Sequence, residues 1–181
     1  RRSELMSGAG GGAMTAVMGF DRNQLEGLLE ATEGVVIAND NSAAQVVLSG
    51  TVEAVNSVSS KLTCKRAIPL KVSGAFHSPL MANASKAFAA EIDQVRFKDA
   101  ITPVLSNADP TPTCDAALLK ERIKLQMTTG VRWRETMEAM VQNGTSTFVE
   151  IGPGNVLSGL AKRTLKGVTT DQLANASDLG Y

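Results

Sequence analysis

The sequence predicts a mixed α/β (α+β) chain in two parts, preceded by a short lead. Three observations support this. Residues 13–73 alternate β-branched runs with amphipathic helical stretches, in the order strand, helix, strand, strand, helix, strand. Beyond Ser73-Gly74 the helices lengthen and single strands separate them. A glycine run over 8–12, broken only by Ala9, divides both parts from the first residues. The expected organisation is 1–12 as a helix end and connector, 13–73 as a first subdomain, and 74–181 as the C-terminal part of an α/β core.

Arg1-Arg2-Ser3-Glu4-Leu5-Met6 holds helix formers from its first position and no initiator methionine, so it reads as a helix cut from a longer chain. The glycines that follow cannot sustain that helix. In 13–20, Met14, Ala16, Met18 and Phe20 fall on one face of a strand. Asp21 and Gln24 then form a capping box for a helix that turns Leu25, Leu28 and Leu29 inward and stops before Gly34. Residues 35–38 and 45–48 read as a hairpin, with the turn formers Asn39-Asp40-Asn41-Ser42 between its strands. Thr51 caps a second helix with the stripe Val52, Val55, Val58 and Leu62. The last strand is 66–72, with Ile68, Leu70 and Val72 on one side. This βαββαβ order is the split βαβ of a ferredoxin-like domain, a scaffold that by itself says little about chemistry.

In the second part, helices are expected over 79–95, from Asp115, from Arg132 and from Asn155, with strands around Val104-Leu105 and over 148–151. Two strands are too few to cover helices on both faces of a sheet, so the core is expected to be incomplete, its central strands lying upstream.

Composition narrows the function class. The 18 Lys and Arg residues balance 18 Asp and Glu, which gives no general attraction to nucleic acid or to an anionic membrane. A hydrophobic fraction of 43% supports a buried core rather than disorder. No apolar run approaches the roughly 20 residues a membrane span needs, and no secretory signal opens the chain. A soluble, cytoplasmic protein is expected. Cys64 and Cys114 are too few for a disulfide framework and lack the neighbours of a zinc site, so both read as reduced packing residues.

Few polar residues invite chemistry. The only histidine, His77, follows a strand end and precedes Pro79, which can open a helix. Such a place faces a cleft in many α/β proteins, yet a lone imidazole is also an ordinary packed or surface residue. Gln126 shares a stripe with Leu119 and Ile123, where its amide needs a fixed partner, either in the core or in a site. Glu150-Ile151-Gly152-Pro153-Gly154-Asn155 joins a strand to a helix but lacks the Lys-Ser or Lys-Thr of a nucleotide loop, and reads as a tight turn. Lys61, Lys65, Arg66 and Lys71 form a basic cluster, which is either a solvated face or a surface for an acidic protein.

Several of these stretches in order resemble the malonyl-CoA:acyl carrier protein transacylases and the acyltransferase domains of fatty acid and polyketide synthases. They are Arg2-Ser3-Glu4-Leu5-Met6, the 12–19 segment, Asn39-Asp40-Asn41-Ser42 with Gln45, Ala75-Phe76-His77-Ser78, Gln126 with Trp133, and Glu150-Ile151-Gly152-Pro153-Gly154. The resemblance runs essentially end to end. It implies a ferredoxin-like subdomain inserted in a hydrolase-like α/β core. It further implies transfer of malonyl from malonyl-CoA to the phosphopantetheine thiol of acyl carrier protein through an acyl-serine, with no metal or redox cofactor.

The resemblance also assigns roles to residues. Arg2 matches the arginine that holds the malonyl carboxylate, a task suited to a planar two-donor fork. His77 matches the general base, and Gln126 the residue whose backbone carbonyl orients it. Phe76 matches the bulky aromatic of malonyl-selective members. Lys65 and Arg66 are the expected contact for the carrier protein, and the full-length protein is expected to be monomeric. Ala43 stands where the family has proline, and Ser3 where glycine is common. The family's Gly-His-Ser-x-Gly nucleophile elbow is absent, so the chain reads as the C-terminal part of a transacylase, inactive alone. Two other readings stand beside this one: a polyketide synthase acyltransferase loading another extender unit, and a noncatalytic ferredoxin-like binding module. A plastid location replaces the cytoplasm if a targeting segment preceded the chain.

Overall fold

Helix α1 (Arg2–Gly8) ends where the glycine run begins, and leads into strand β1 (Ala13–Phe20), helix α2 (Arg22–Glu30), strands β2 (Val35–Ser42) and β3 (Gln45–Gly50), helix α3 (Val52–Lys61) and strand β4 (Cys64–Pro69). A 3-10 turn (Pro79–Met81) opens helix α4 (Ala82–Asp93), followed by α5 (Ala116–Leu125), α6 (Trp133–Gln142), β5 (Thr147–Ile151), α7 (Val156–Thr164) and β6 (Thr169–Leu173). This computed structural model describes residues 1–180. None of its described helices is long and apolar enough to cross a membrane.

The first four strands form one sheet in the order β2-β3-β1-β4, with every neighbouring pair antiparallel. Strands β1 and β2 therefore run parallel with β3 between them, the split βαβ arrangement. Leu25 of α2 and Ala54, Val55 and Val58 of α3 pack on Val17, Val46 and Leu48, all buried, so both helices cover one face of the sheet. On the other face Met14, Ala38 and Val47 meet Phe76. Phe76 also joins a second core of Met6, Met81, Phe88 and Met127, and so bridges the sheet to α1, α4 and the end of α5.

Several sequence expectations are corrected in detail. Phe20 leaves the face of Met14 and packs with the helix-side core, because Gly19 adopts φ +64° and reverses the alternation. Asp21 accepts from the Gln24 amide at 2.8 Å, but the Gln24 side chain does not close the box. It bonds instead to the Lys61 carbonyl and the Thr63 amide at the end of α3.

The four polar residues expected to make a turn instead extend β2, with two register shifts, and the chain reverses at Ala43-Ala44. Asp40 explains this. Its carboxylate is gripped by Arg22 at 2.9 Å and by Arg134 of α6 at 3.0 Å, which ties the strand to two helices. Val52 is exposed and Ala54 takes its place in the α3 stripe. Strand β4 starts earlier than expected and stops at Pro69, leaving Ile68, Leu70 and Val72 exposed on the edge of the sheet.

The expected strand at Val104-Leu105 is a single bridge from Val104 to Thr113. Strand β6, absent from the sequence reading because Thr169-Thr170-Asp171-Gln172-Leu173 is polar, pairs parallel with β5.

Candidate active site

His77 stands in a loop that its neighbours fasten. The Ala75 amide donates to Gly11 O at 3.1 Å, linking the loop to the glycine connector. Buried Ser78 donates its hydroxyl to Ala75 O at 2.6 Å and accepts from the Leu80 amide at 3.2 Å, capping the 3-10 turn that Pro79 begins. Between these anchors His77 adopts φ +57°, alone among the described non-glycine residues in taking a positive value. Such a conformation costs on the order of 1 to 3 kcal/mol and persists where surrounding contacts dictate it.

The imidazole Nδ1 lies 2.8 Å from the backbone oxygen of Gln126. A carbonyl only accepts, so Nδ1 carries the proton and Nε2 keeps its lone pair. Burial pushes the His77 pKa below its ordinary value, the nearby Arg2 cation adds to that, and backbone hydrogen bonding to Gln126 and Thr129 works the other way. The net effect favours a neutral ring with Nε2 free to take a proton.

Gln126 caps the end of α5. Its side-chain amide makes no hydrogen bond among the described residues, and it is half-buried rather than sealed in a core. The expectation of a fixed partner for the amide is corrected: the engaged group is the main-chain oxygen. The segment after Gln126 is stitched to β2, with the Val131 amide donating to Ala38 O at 2.7 Å and the Asp40 amide to Val131 O at 2.9 Å. Glycine is needed at 130 for this approach, because a Cβ there would stand 2.5 Å from Ile37 O.

The two arginines at the chain start differ sharply. Arg1 is exposed and paired with Glu4 at 3.2 Å and Glu91 at 3.0 Å. Arg2 is half-buried, has a buried Nε without a hydrogen-bond partner, and pairs with no carboxylate among the described residues. The structure thus sets His77 on the Gln126 carbonyl with the Arg2 cation close enough to act on the imidazole, and half-buried Phe76 adjoins His77 in the chain.

Lys65 and Arg66 lie elsewhere, on exposed β4. As neighbours on a strand they point to opposite faces. Lys65 lines a cleft with Gln45, Arg134, Glu138 and Arg163, a group that includes none of the residues around His77.

The Gly-Pro-Gly turn carries its own anion. The Glu150 carboxylate accepts from the amides of Leu157 at 3.1 Å and Ser158 at 2.8 Å, at the start of α7. Those amides hold the carboxyl below the usual carboxylate range, and they are the donors a phosphate would need. Both cysteines are free, and among the described residues no group of three or more His, Cys, Asp or Glu could hold a metal ion. Sequence reasoning passed over Ser78, although a serine directly before a helix-opening proline is a legible cap signal.

The chain is 48% identical over 179 residues to the malonyl CoA-acyl carrier protein transacylase of Synechocystis sp., covering 99% of this chain and 61% of the relative. The crystal structure of the Synechocystis enzyme superposes with a TM-score of 0.95 over the same shares. The Bacillus subtilis protein of the same name is 39% identical, over 94% of this chain and 57% of that protein. A malonyl-transacylase in complex with a type II polyketide synthase acyl-carrier protein matches at 32% identity and a TM-score of 0.88, over 98% of this chain and 60% of that one. This chain therefore spans about 61% of the length of the first of these relatives. The acyl transferase domain matches residues 1–179, which is nearly every residue of the sequence. The chain belongs to the acyl transferase domain family.

Proposed function

We propose that this chain is the C-terminal part of a malonyl-CoA:acyl carrier protein transacylase of fatty acid synthesis. Malonyl passes from CoA to an upstream serine and then to the carrier's phosphopantetheine thiol, in the cytoplasm and with no metal or redox cofactor. The observation that supports this most directly is the His77 Nδ1 to Gln126 O contact of 2.8 Å, which leaves Nε2 as the proton acceptor. His77 removes the serine proton during attack on the thioester carbonyl and returns it to the departing CoA sulfur, so the ring ends neutral. It repeats the cycle with the carrier thiol. Arg2 binds the malonyl carboxylate through its fork of donors, and Phe76 limits bulk at the α-carbon.

No serine of this chain stands in a Gly-His-Ser-x-Gly elbow, so the chain alone is expected to hold no stable malonyl group. The same geometry serves an acyltransferase of a polyketide synthase, and selectivity between extender units separates the two. In the full-length protein, His77→Ala is expected to slow acylation by about two to four orders of magnitude. Stopped-flow acylation at an unchanged rate would remove His77 from the mechanism.

A further inference from the structure

The Gln126 carbonyl sits between two attachments to the same loop. Arg122 lies one helical turn earlier on α5 and is only 5% exposed. Its Nη2 donates to Asp109 Oδ2 at 2.6 Å and its Nη1 to Thr111 O at 2.6 Å. On the far side of Gln126, the Arg132 amide donates to Asn107 O at 2.9 Å. Asn107 and Asp109 belong to one turn, closed by the Ser106 hydroxyl, which donates to Asp109 O at 3.2 Å and accepts from the Asp109 amide at 3.1 Å. The base of that loop is pinned by the Val104 to Thr113 bridge. From α4, Ser85 Oγ donates to Lys124 O at 3.1 Å, bracing the same last turn of α5 from its other side.

Burial of Arg122 calls for an explanation. Its Nε has no partner, and its carboxylate is partly open to solvent, so the cost of desolvating the cation offsets much of what the ion pair contributes. What the contact does achieve is geometric, since a rigid planar guanidinium with two fixed acceptors locks the helix end to the loop.

We propose that Arg122 is a positioning residue. Clamped to the 106–109 turn, it fixes the end of α5, and with it the Gln126 carbonyl that sets the tautomer and aim of His77. This inference rests on the reading of His77 as the general base.

The test compares Arg122→Met, Arg122→Lys and Asp109→Asn with the unchanged full-length protein. Nitrogen-15 spectra of the His77 ring read its tautomer, and steady-state transfer of malonyl reads kcat and KM. In Arg122→Met and Asp109→Asn the single Nδ1–H tautomer should become a mixture. kcat should fall about ten- to a hundredfold, with KM for malonyl-CoA changed by no more than about twofold, because misplacement of a base acts on the chemical step. Arg122→Lys, which keeps the charge and one donor, should recover part of the loss.

Asp109→Asn preserves the size of the turn residue and decides the matter if Arg122→Met does not fold. An unmixed tautomer in Asp109→Asn overturns the proposal, whether or not activity falls. If the unchanged protein transfers no malonyl, the proposed function fails, and the tautomer measurement still decides the clamp.

Discussion

The imidazole of His77 is held by the main-chain oxygen of Gln126, 49 residues further along the chain, at 2.8 Å. A carbonyl orienter differs from the carboxylate that often plays this part. It fixes the tautomer without placing a full negative charge beside the ring, so it favours imidazolium only weakly. Burial and Arg2 then tip the balance to the neutral form.

That balance sets a pH dependence. A base works only while its lone pair is free, so acylation should rise with pH through the His77 pKa, and the acid limb should lie below the ordinary histidine value. Arg2→Met removes a positive neighbour, protonation becomes easier, and the limb should move to higher pH. The same depressed pKa means that His77 contributes stability above the ordinary histidine value, and that this is lost as pH falls through the folded-state pKa. NMR titration of the His77 ring in both proteins checks the shift, and a pKa that stays or falls in Arg2→Met contradicts it.

Arg2 and Phe76 should select the acyl group by different physics. A half-buried guanidinium left without its anion penalises acetyl strongly, whereas excluding one methyl is worth only about 1 to 3 kcal/mol. Arg2→Ala should therefore collapse the preference for malonyl over acetyl, and Phe76→Ser should narrow that over methylmalonyl modestly. Competition among the three CoA esters, read as kcat/KM, tests both. Equal loss of all three in Arg2→Ala would make the arginine a structural residue.

Separation of Lys65 from Arg66 across the strand predicts unequal effects on carrier binding. Lys65 shares a cleft with Arg134 and Arg163, so Lys65→Glu should raise KM for the acyl carrier protein more than Arg66→Glu does. Hydrolysis of malonyl-CoA should be spared. The difference should shrink as salt rises, and equal KM values at low salt would rule the cleft out as the contact.

Asp40 holds two arginines from different helices with a side chain only 12% exposed. Asp40→Ala should destabilise the protein by about 1 to 3 kcal/mol, since it leaves the partly buried Arg22 without a carboxylate and Arg134 with Glu138 alone. Urea denaturation measures this. A loss below about 0.5 kcal/mol would place the network among surface pairs of little consequence.

The small sheet was the most legible part of the chain, because its apolar periodicity and the Asp21 and Thr51 caps are local signals. What escaped notice depended on distant partners. Asp40 looks like a turn residue until Arg22 and Arg134 are in place, and Asn39 is drawn into a strand by Val131. Polar β6 is a strand because β5 lies beside it. At the site, His77 was conspicuous as the only imidazole and Gln126 as an amide on an apolar stripe, whereas Arg2 drew attention through family resemblance. The role of a backbone oxygen leaves no mark on residue type, so neither the Gln126 carbonyl nor the amide of Val131 could be found from side-chain chemistry.

The stitch between Val131 and β2 also bears on the order in which the molecule assembles. Strands β1, β3 and β4 close within residues 13–69, but the ion pair of Arg134 with Asp40 joins residues 94 apart. Closing the longer loop before the sheet exists would forfeit more chain entropy for fewer contacts, so the sheet forms first and serves as a template for the rest. His77 then acquires its orientation in a late step of folding. In pulse-labelled hydrogen exchange during refolding, amides of β1 should be protected before those of Val131 and Asp40. A nascent chain would accordingly carry a finished scaffold well before it carried a working base.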